Sequence, residues 1–190
     1  NTDGPAPCVM ITCGGDSTKE EFHTLENEFL KRGVATCAYD GPGQSLTMLK
    51  WRIRPDWEVP VGALIDVLEA RPEIDGERIG IWGRSFGGYA APRASVDPRI
   101  KACVSIGGFH SMSGFWDRMP FAVQDTLRFA FGDETVEDAA ETAKLYTLDG
   151  VLDRIGCPLL IVHSGLDELC PVEESQQMID EAGDDAELVV

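Results

Sequence analysis

Ile79-Gly80-Ile81-Trp82 runs directly into Gly83-Arg84-Ser85-Phe86-Gly87-Gly88 and then into Tyr89-Ala90-Ala91. The first four residues read as a short buried strand, and the last three open a helix. The G-x-S-x-G pentapeptide between them fits the sharp turn of a nucleophile elbow. Such a turn is tight enough that its flanking positions must be nearly free of side chain, and Gly83 and Gly87 meet that need. The reading places the Ser85 hydroxyl at the end of a sheet, beside the N-terminus of the next helix. It directs the Phe86 N–H to where an oxyanion would form. A glycine-rich turn with an incidental serine has the same pentapeptide. The strand before it and the partners described below favour the nucleophile.

Outward from this stretch, strand and helix patterns alternate. Cys8-Val9-Met10-Ile11-Thr12-Cys13 is a near-continuous apolar run, as expected of a strand covered on both faces. Gly14-Gly15-Asp16 turns the chain, and either Ser17 with Glu20 or Thr18 with Glu21 supplies a capping box. Phe22, Leu25 and Phe29 form one helix face, and Gly33 stops that helix. Val34-Ala35-Thr36-Cys37-Ala38-Tyr39 is a second strand, and Asp40-Gly41-Pro42-Gly43 is a loop. After an irregular stretch over residues 47–58, a helix starts near Pro60. It carries Val61, Leu64, Ile65 and Leu68 on one face and breaks at Pro72. Arg78 to Trp82 is the strand before the elbow, and Pro92 kinks the elbow helix or ends its regular part.

Ala102-Cys103-Val104-Ser105-Ile106 and Leu159-Leu160-Ile161-Val162-His163 are further strands. Pro171 opens a helix that stops near Gly183, and Leu188-Val189-Val190 reads as a last strand cut by the chain end. Residues 109–150 break the alternation with a helical pattern rich in Phe, Met and Trp, read as a helical lid insertion over the sheet. The expected fold class is α/β. A doubly wound, mostly parallel sheet carries that lid, in one domain over residues 1–190 truncated at both ends. Ligands in such sheets sit at the carboxyl ends of the strands. Ser85, the Gly14-Gly15 turn and the loop after Val162 converge there.

Composition narrows the partners. With 33 acids against 16 bases the net charge is −17, which argues against nucleic acid and anionic membranes. No apolar run reaches membrane-spanning length. The six cysteines form no CxxC pair and fall mostly in strand-like runs. They read as buried thiols in a reducing, cytoplasmic setting. His23, His110 and His163 have no metal-ligand spacing. No metal or cofactor is expected, and the dinucleotide and P-loop patterns are absent from the sequence. A small-molecule substrate is the expected partner, with a homodimer left open.

Serine alone is a poor nucleophile and needs a base, which in turn needs an orienting acid. Asp167 lies in the loop after a buried strand and downstream of Ser85, in the order Ser…Asp/Glu…His, with Glu168 as its adjacent rival. Gly15 offers a second oxyanion donor beside Phe86. No histidine follows Asp167, so the base is expected beyond Val190, and residues 1–190 alone are expected to be nearly inactive. His163 reads as a packed residue ending its strand, His23 as a surface residue, and His110 as a loop or pocket-wall residue. Trp116 and Met119, in the aromatic and methionine cluster of the insertion, are expected to contact substrate.

Gly83-Arg84-Ser85-Phe86-Gly87-Gly88, Gly14-Gly15-Asp16-Ser17-Thr18-Lys19-Glu20-Glu21 and Tyr39-Asp40-Gly41-Pro42-Gly43-Gln44 together resemble the α/β-hydrolase superfamily. More narrowly, they are similar to the esterase-like group around the fermentation–respiration switch protein and dihydroxypseudooxynicotine hydrolase. That resemblance implies Ser85 as nucleophile, Asp167 as triad acid, Gly15 and Phe86 as oxyanion donors, and residues 109–150 as the lid. Members of the group cleave esters or carbon–carbon bonds next to a ketone, and both routes pass through an oxyanion. Gly87-Gly88-Tyr89 also resembles the elbow of prolyl-oligopeptidase-type peptidases. A non-catalytic binding protein on the same scaffold is the rival from another class.

Overall fold

The computed structural model describes residues 4–190 of the domain. β1 (Ala6–Thr12), β2 (Ala35–Tyr39), β3 (Ile74–Arg84), β4 (Ile100–Ile106), β5 (Leu159–Val162) and β6 (Ala186–Val189) form one sheet. Their order is β2-β1-β3-β4-β5-β6, and every neighbouring pair is parallel. The chain steps outward from β1 to β2 and then returns past β1 to β3. The winding direction therefore reverses between β1 and β3, where open sheets of this kind hold their ligands.

Alternation along β1 explains why its sequence is apolar throughout. Cys8 and Met10 enter the larger core, with Trp57, Ile65, Ile81 and Tyr89. Val9, Ile11 and Cys13 face the opposite way and pack with Phe22 against Leu25, Phe29 and Trp82. Both faces of the strand are thus dry, and Met10 and Ile11 are fully buried. The second face is covered by α1 (His23–Leu30), which follows a 3-10 turn at Lys19–Phe22. Thr18 and Glu21 form the capping box there, the Thr18 N–H donating to Glu21 Oε1 at 3.1 Å. Ser17 does something else: its Oγ accepts the Gly14 N–H at 2.8 Å.

Several boundaries differ from the sequence expectation, each for a local reason. β3 begins at Ile74 because Ala6 pairs with Ile74 before a register shift brings Cys8 opposite Ile79. The intervening Asp75-Gly76-Glu77 is polar, so no apolar pattern marks it. α2 (Glu58–Glu69) holds Pro60 in its first turn, where a missing N–H is harmless. It closes at Ala70, before Pro72 is reached. α3 (Phe86–Ala94) keeps Pro92 in its last turn. The Ser95 N–H then bonds the Ala91 and Pro92 carbonyls and ends the helix.

Between β4 and β5 the insertion folds as 3-10 turns at Met112–Gly114 and Trp116–Arg118, then α4 (Phe121–Phe131) and α5 (Val136–Ala143). Gly132, at φ +87°, terminates α4 in the left-handed region. Aromatic contacts knit the insertion together and fasten it to α3 through Tyr89–Phe109 and Phe86–Tyr146. Phe131 stacks on Tyr146 at 4.8 Å, Trp116 on Phe131 at 6.5 Å, and Tyr89 on Phe109 at 5.0 Å. The Tyr146 hydroxyl donates to the Ile53 carbonyl at 3.0 Å. α6 (Val172–Glu181) follows β5. Among the described residues no helix is long and apolar enough to cross a membrane.

Insertion and sheet share one core, so they are expected to unfold together. Phe131→Ala should cost about 3–5 kcal/mol in urea unfolding of the full-length protein, within a single transition. Two separated transitions, or a loss below about 1 kcal/mol, would contradict the shared core.

Candidate active site

Ser85 sits between the last residue of β3 and the first of α3 at φ 58° and ψ −121°. Non-glycine residues rarely take such a conformation, and it persists only where the surroundings enforce it. Here the Ser85 N–H donates to the Ile106 carbonyl at 2.8 Å, and the Gly88 N–H donates to the Ser85 carbonyl at 2.7 Å. A Cβ on Gly83 would run into the Gly87 carbonyl, and one on Gly87 into the Thr12 carbonyl. The turn therefore admits no side chain at either glycine, and Ser85 is left exposed at its tip.

Phe86 is the first residue of α3, so its N–H has no acceptor within the helix. Its ring is buried against Trp57 at 5.2 Å, Tyr89 at 5.6 Å and Tyr146 at 5.9 Å, which fixes the residue. The Gly14-Gly15 loop lies alongside. A Cβ on Gly14 would stand 3.5 Å from Ser85 Cβ, and one on Gly15 would stand 3.9 Å from Phe86 Cβ. Lys19 ties this loop to the end of β2. Its backbone N–H and Nζ donate to the two oxygens of Asp40 at 2.9 and 2.6 Å.

The Asp167 carboxylate is held by its own loop. Oδ1 accepts the N–H groups of Leu169 and Cys170, both at 2.9 Å. Oδ2 lies 3.8 Å from His163 Nε2. Asp167 is partly exposed and shares a cleft of about 510 Å³ with Ser85, Gly107, His163 and Ser164. Glu168 is exposed and lines neither cavity at Ser85.

The other histidines are engaged elsewhere. His163 is buried, with Nδ1 2.6 Å from Ser175 Oγ and Nε2 2.9 Å from the Cys170 carbonyl, so both ring nitrogens are committed. His110 is also buried. Its Nε2 is 2.9 Å from Glu181 Oε2 and 3.7 Å from Asp149, and it lines neither cavity. His23 is exposed on α1.

On its other side Ser85 opens into an apolar cavity of about 140 Å³, lined also by Gly15, Phe86, Phe109, Met112, Phe115, Met119, Val123, Leu127 and Leu169. Asp16 and Thr126 are its polar contributions beside Ser85. Met119 lines this cavity. Trp116 does not line the cavity and is instead buried against Phe131. Val123, Thr126 and Leu127 escaped the sequence reading, although their i, i+3, i+4 spacing marks one face of α4. Cys170 borders both cavities. Burial pushes its thiol well above the usual range, with Glu174 and Asp167 adding to the effect. Its Sγ–H donates to the Gly108 carbonyl at 3.2 Å, so Cys170 is a wall residue of both cavities.

A parallel sheet with a strained serine at the β3–α3 turn, and a carboxylate after β5, defines the α/β-hydrolase fold. The FrsA-like esterase family model matches residues 1–189, and the chain belongs to that family. It is 36% identical over 195 residues to 2,6-dihydropseudooxynicotine hydrolase of Paenarthrobacter nicotinovorans, covering 95% of this chain and 53% of that protein. It is 45% identical over 198 residues to 20-hydroxy-prefusarin hydrolase of Gibberella moniliformis, covering 83% of this chain and 47% of that protein. The crystal structure of 2,6-dihydroxy-pseudo-oxynicotine hydrolase superposes with a TM-score of 0.95 at 34% identity, over 100% of this chain and 54% of that one. The chain spans about half the length of the curated relatives it matches.

The two aromatic-cluster residues should separate experimentally. Met119→Ala should widen the cavity and shift relative kcat/KM of the full-length protein toward larger substrates. Trp116→Ala should leave that preference unchanged and instead lower stability by about 3–5 kcal/mol. The reverse pattern would place Trp116 against the substrate.

Proposed function

We propose that the whole protein is a serine hydrolase acting on an ester, or on a carbon–carbon bond next to a ketone, in a small apolar molecule. The observation that carries this reading is the position of Ser85. It stands at a strained elbow between an apolar cavity and a cleft that also holds Asp167. The names of its relatives, a dihydropseudooxynicotine hydrolase among them, support hydrolysis. The apolar cavity suits the acyl side of such a substrate.

In this reading Ser85 Oγ attacks the carbonyl carbon while a histidine takes its proton. That histidine belongs to the whole protein outside residues 1–190 and enters the cleft between Ser85 and Asp167. Asp167 Oδ2 orients it, because Oδ1 is already held by two N–H groups. The Gly15 and Phe86 N–H groups receive the developing oxyanion. Collapse expels an alkoxide or an enolate, which takes the proton back from the histidine. Water, activated by the same base, then releases the acid and restores Ser85. The chemistry needs no cofactor or metal. The proposed partner is the small-molecule substrate, and six free cysteines suit a reducing cytoplasm.

A fluorophosphonate probe should label the full-length protein at Ser85, and Ser85→Ala should abolish both labelling and turnover. Equal labelling of the alanine variant would sink the assignment. A full-length protein that neither labels nor hydrolyses activated esters would be the non-catalytic binding protein instead. Asp167→Asn should lower kcat by about 10²–10⁴-fold with the fold intact. Greater damage from Glu168→Gln would move the acid by one residue.

A further inference from the structure

Gln44 ends the Tyr39-Asp40-Gly41-Pro42-Gly43-Gln44 stretch, and nothing in the mechanism above uses it. It is fully buried, yet its carboxamide is polar. Every hydrogen-bonding need of that head is met by backbone. Nε2 donates to the Cys13 carbonyl at 3.0 Å and to the Gly14 carbonyl at 2.9 Å. Oε1 accepts the Gly41 N–H at 2.8 Å. Thr47 Oγ1 stands 2.6 Å from the Gly41 and Gln44 carbonyls and braces the same turn.

The consequence follows from peptide planarity. In a trans peptide the carbonyl of one residue and the N–H of the next point in opposite directions. No cis bond occurs among the described residues. Gln44 pulls the Gly14 carbonyl to its own side, so the Gly15 N–H faces the other side. Among the described residues that N–H makes no hydrogen bond, and Gly15 borders the cavity with Ser85 and Phe86. Ser17 Oγ meanwhile occupies the Gly14 N–H, which removes it from the site.

We infer that Gln44 is a positioning residue for the oxyanion hole: it fixes the rotation of the Gly14–Gly15 peptide so that the Gly15 N–H points at the reacting carbonyl. This rests on the serine-hydrolase reading. The side chain must supply two donors and one acceptor from one planar head, which glutamine does and glutamate does not. A glutamate would set a carboxylate oxygen against two carbonyl oxygens.

The test uses Gln44→Ala and the isosteric Gln44→Glu in the full-length protein, beside Ser85→Ala. Both Gln44 variants should lower kcat on an activated ester and the rate of Ser85 phosphonylation by about 10–100-fold, somewhat less than outright loss of an oxyanion donor. KM should stay close to that of the parent, while the melting temperature falls in both variants, because each leaves buried backbone groups unpaired. A purely structural residue would shift the melting temperature without that kcat-against-KM split. Rates within about twofold of the parent in a folded variant overturn the inference, and so does failure of both variants to fold. Turnover that survives Ser85→Ala overturns the hydrolase reading itself, which the Gln44 variants alone would not do.

Discussion

The backbone of α3 lies directly on the ends of β1 and β4, and everything at the site depends on that close approach. A Cβ on Gly87 would strike the Thr12 carbonyl, and one on Gly88 would come within 2.6 Å of Gly108 Cα. With the helix start pressed this close, the chain leaves β3 and enters α3 through a single strained residue. A positive φ at Ser85 costs of the order of 1–3 kcal/mol. That cost is offset by the fit around it. Tyr89, Ala90, Ala91 and Ala94 are fully buried. Ser105 Oγ donates to the Gly88 carbonyl at 2.7 Å across the contact. The strain is therefore paired with a helix buried along almost its whole length, and that pairing keeps Ser85 at the tip of the turn.

Two environments meet at that tip. One side is an apolar cavity walled by the insertion, and the other is a cleft bordered by Asp167, His163 and Ser164. Both are mostly apolar in surface, and the cleft differs in bringing Asp167, Arg84 and His163 to its lining beside Ser85. The net charge of −17 does not describe the cavity beside Ser85, where Asp16 is the only carboxylate among the described lining residues.

How much of this is legible in sequence depends on whether a residue's role is local. The elbow is local. Strand, glycine, serine and glycine are contiguous, and each is explained by its immediate neighbours. The strands were legible because residues buried on both faces, such as Met10 and Ile11, leave an unbroken apolar run. The start of β3 was not, because Asp75-Gly76-Glu77 enters the sheet through a register shift that no hydrophobic pattern marks. Trp116 shows a different limit. It lies in a short 3-10 turn with no helical face to read, so its sequence cannot distinguish a cavity wall from a stack on Phe131. Gln44 shows the same limit for polar groups. Its partners, Cys13 and Gly14, lie about thirty residues earlier and are backbone carbonyls, which carry no residue signature.

The first turn of α6 joins the parts that remain. Glu174 is buried, and its Oε2 accepts the His110 N–H at 3.1 Å and the Ser111 N–H at 2.8 Å, where the chain leaves the sheet for the insertion. Its neighbour Ser175 engages His163, and His163 reaches the Cys170 carbonyl in the loop that carries Asp167. One helical turn thus holds the root of the cavity wall through Glu174 and the Asp167 loop through Ser175 and His163. An unpaired carboxylate at this depth would be costly, so the packed position of α6 depends on both N–H contacts. Docking of α6 therefore fixes the insertion root and the Asp167 loop relative to each other. The β3–α3 junction that fixes Ser85 meets these parts at Gly108, whose Cα a Cβ on Gly88 would strike and whose carbonyl accepts the Cys170 Sγ–H.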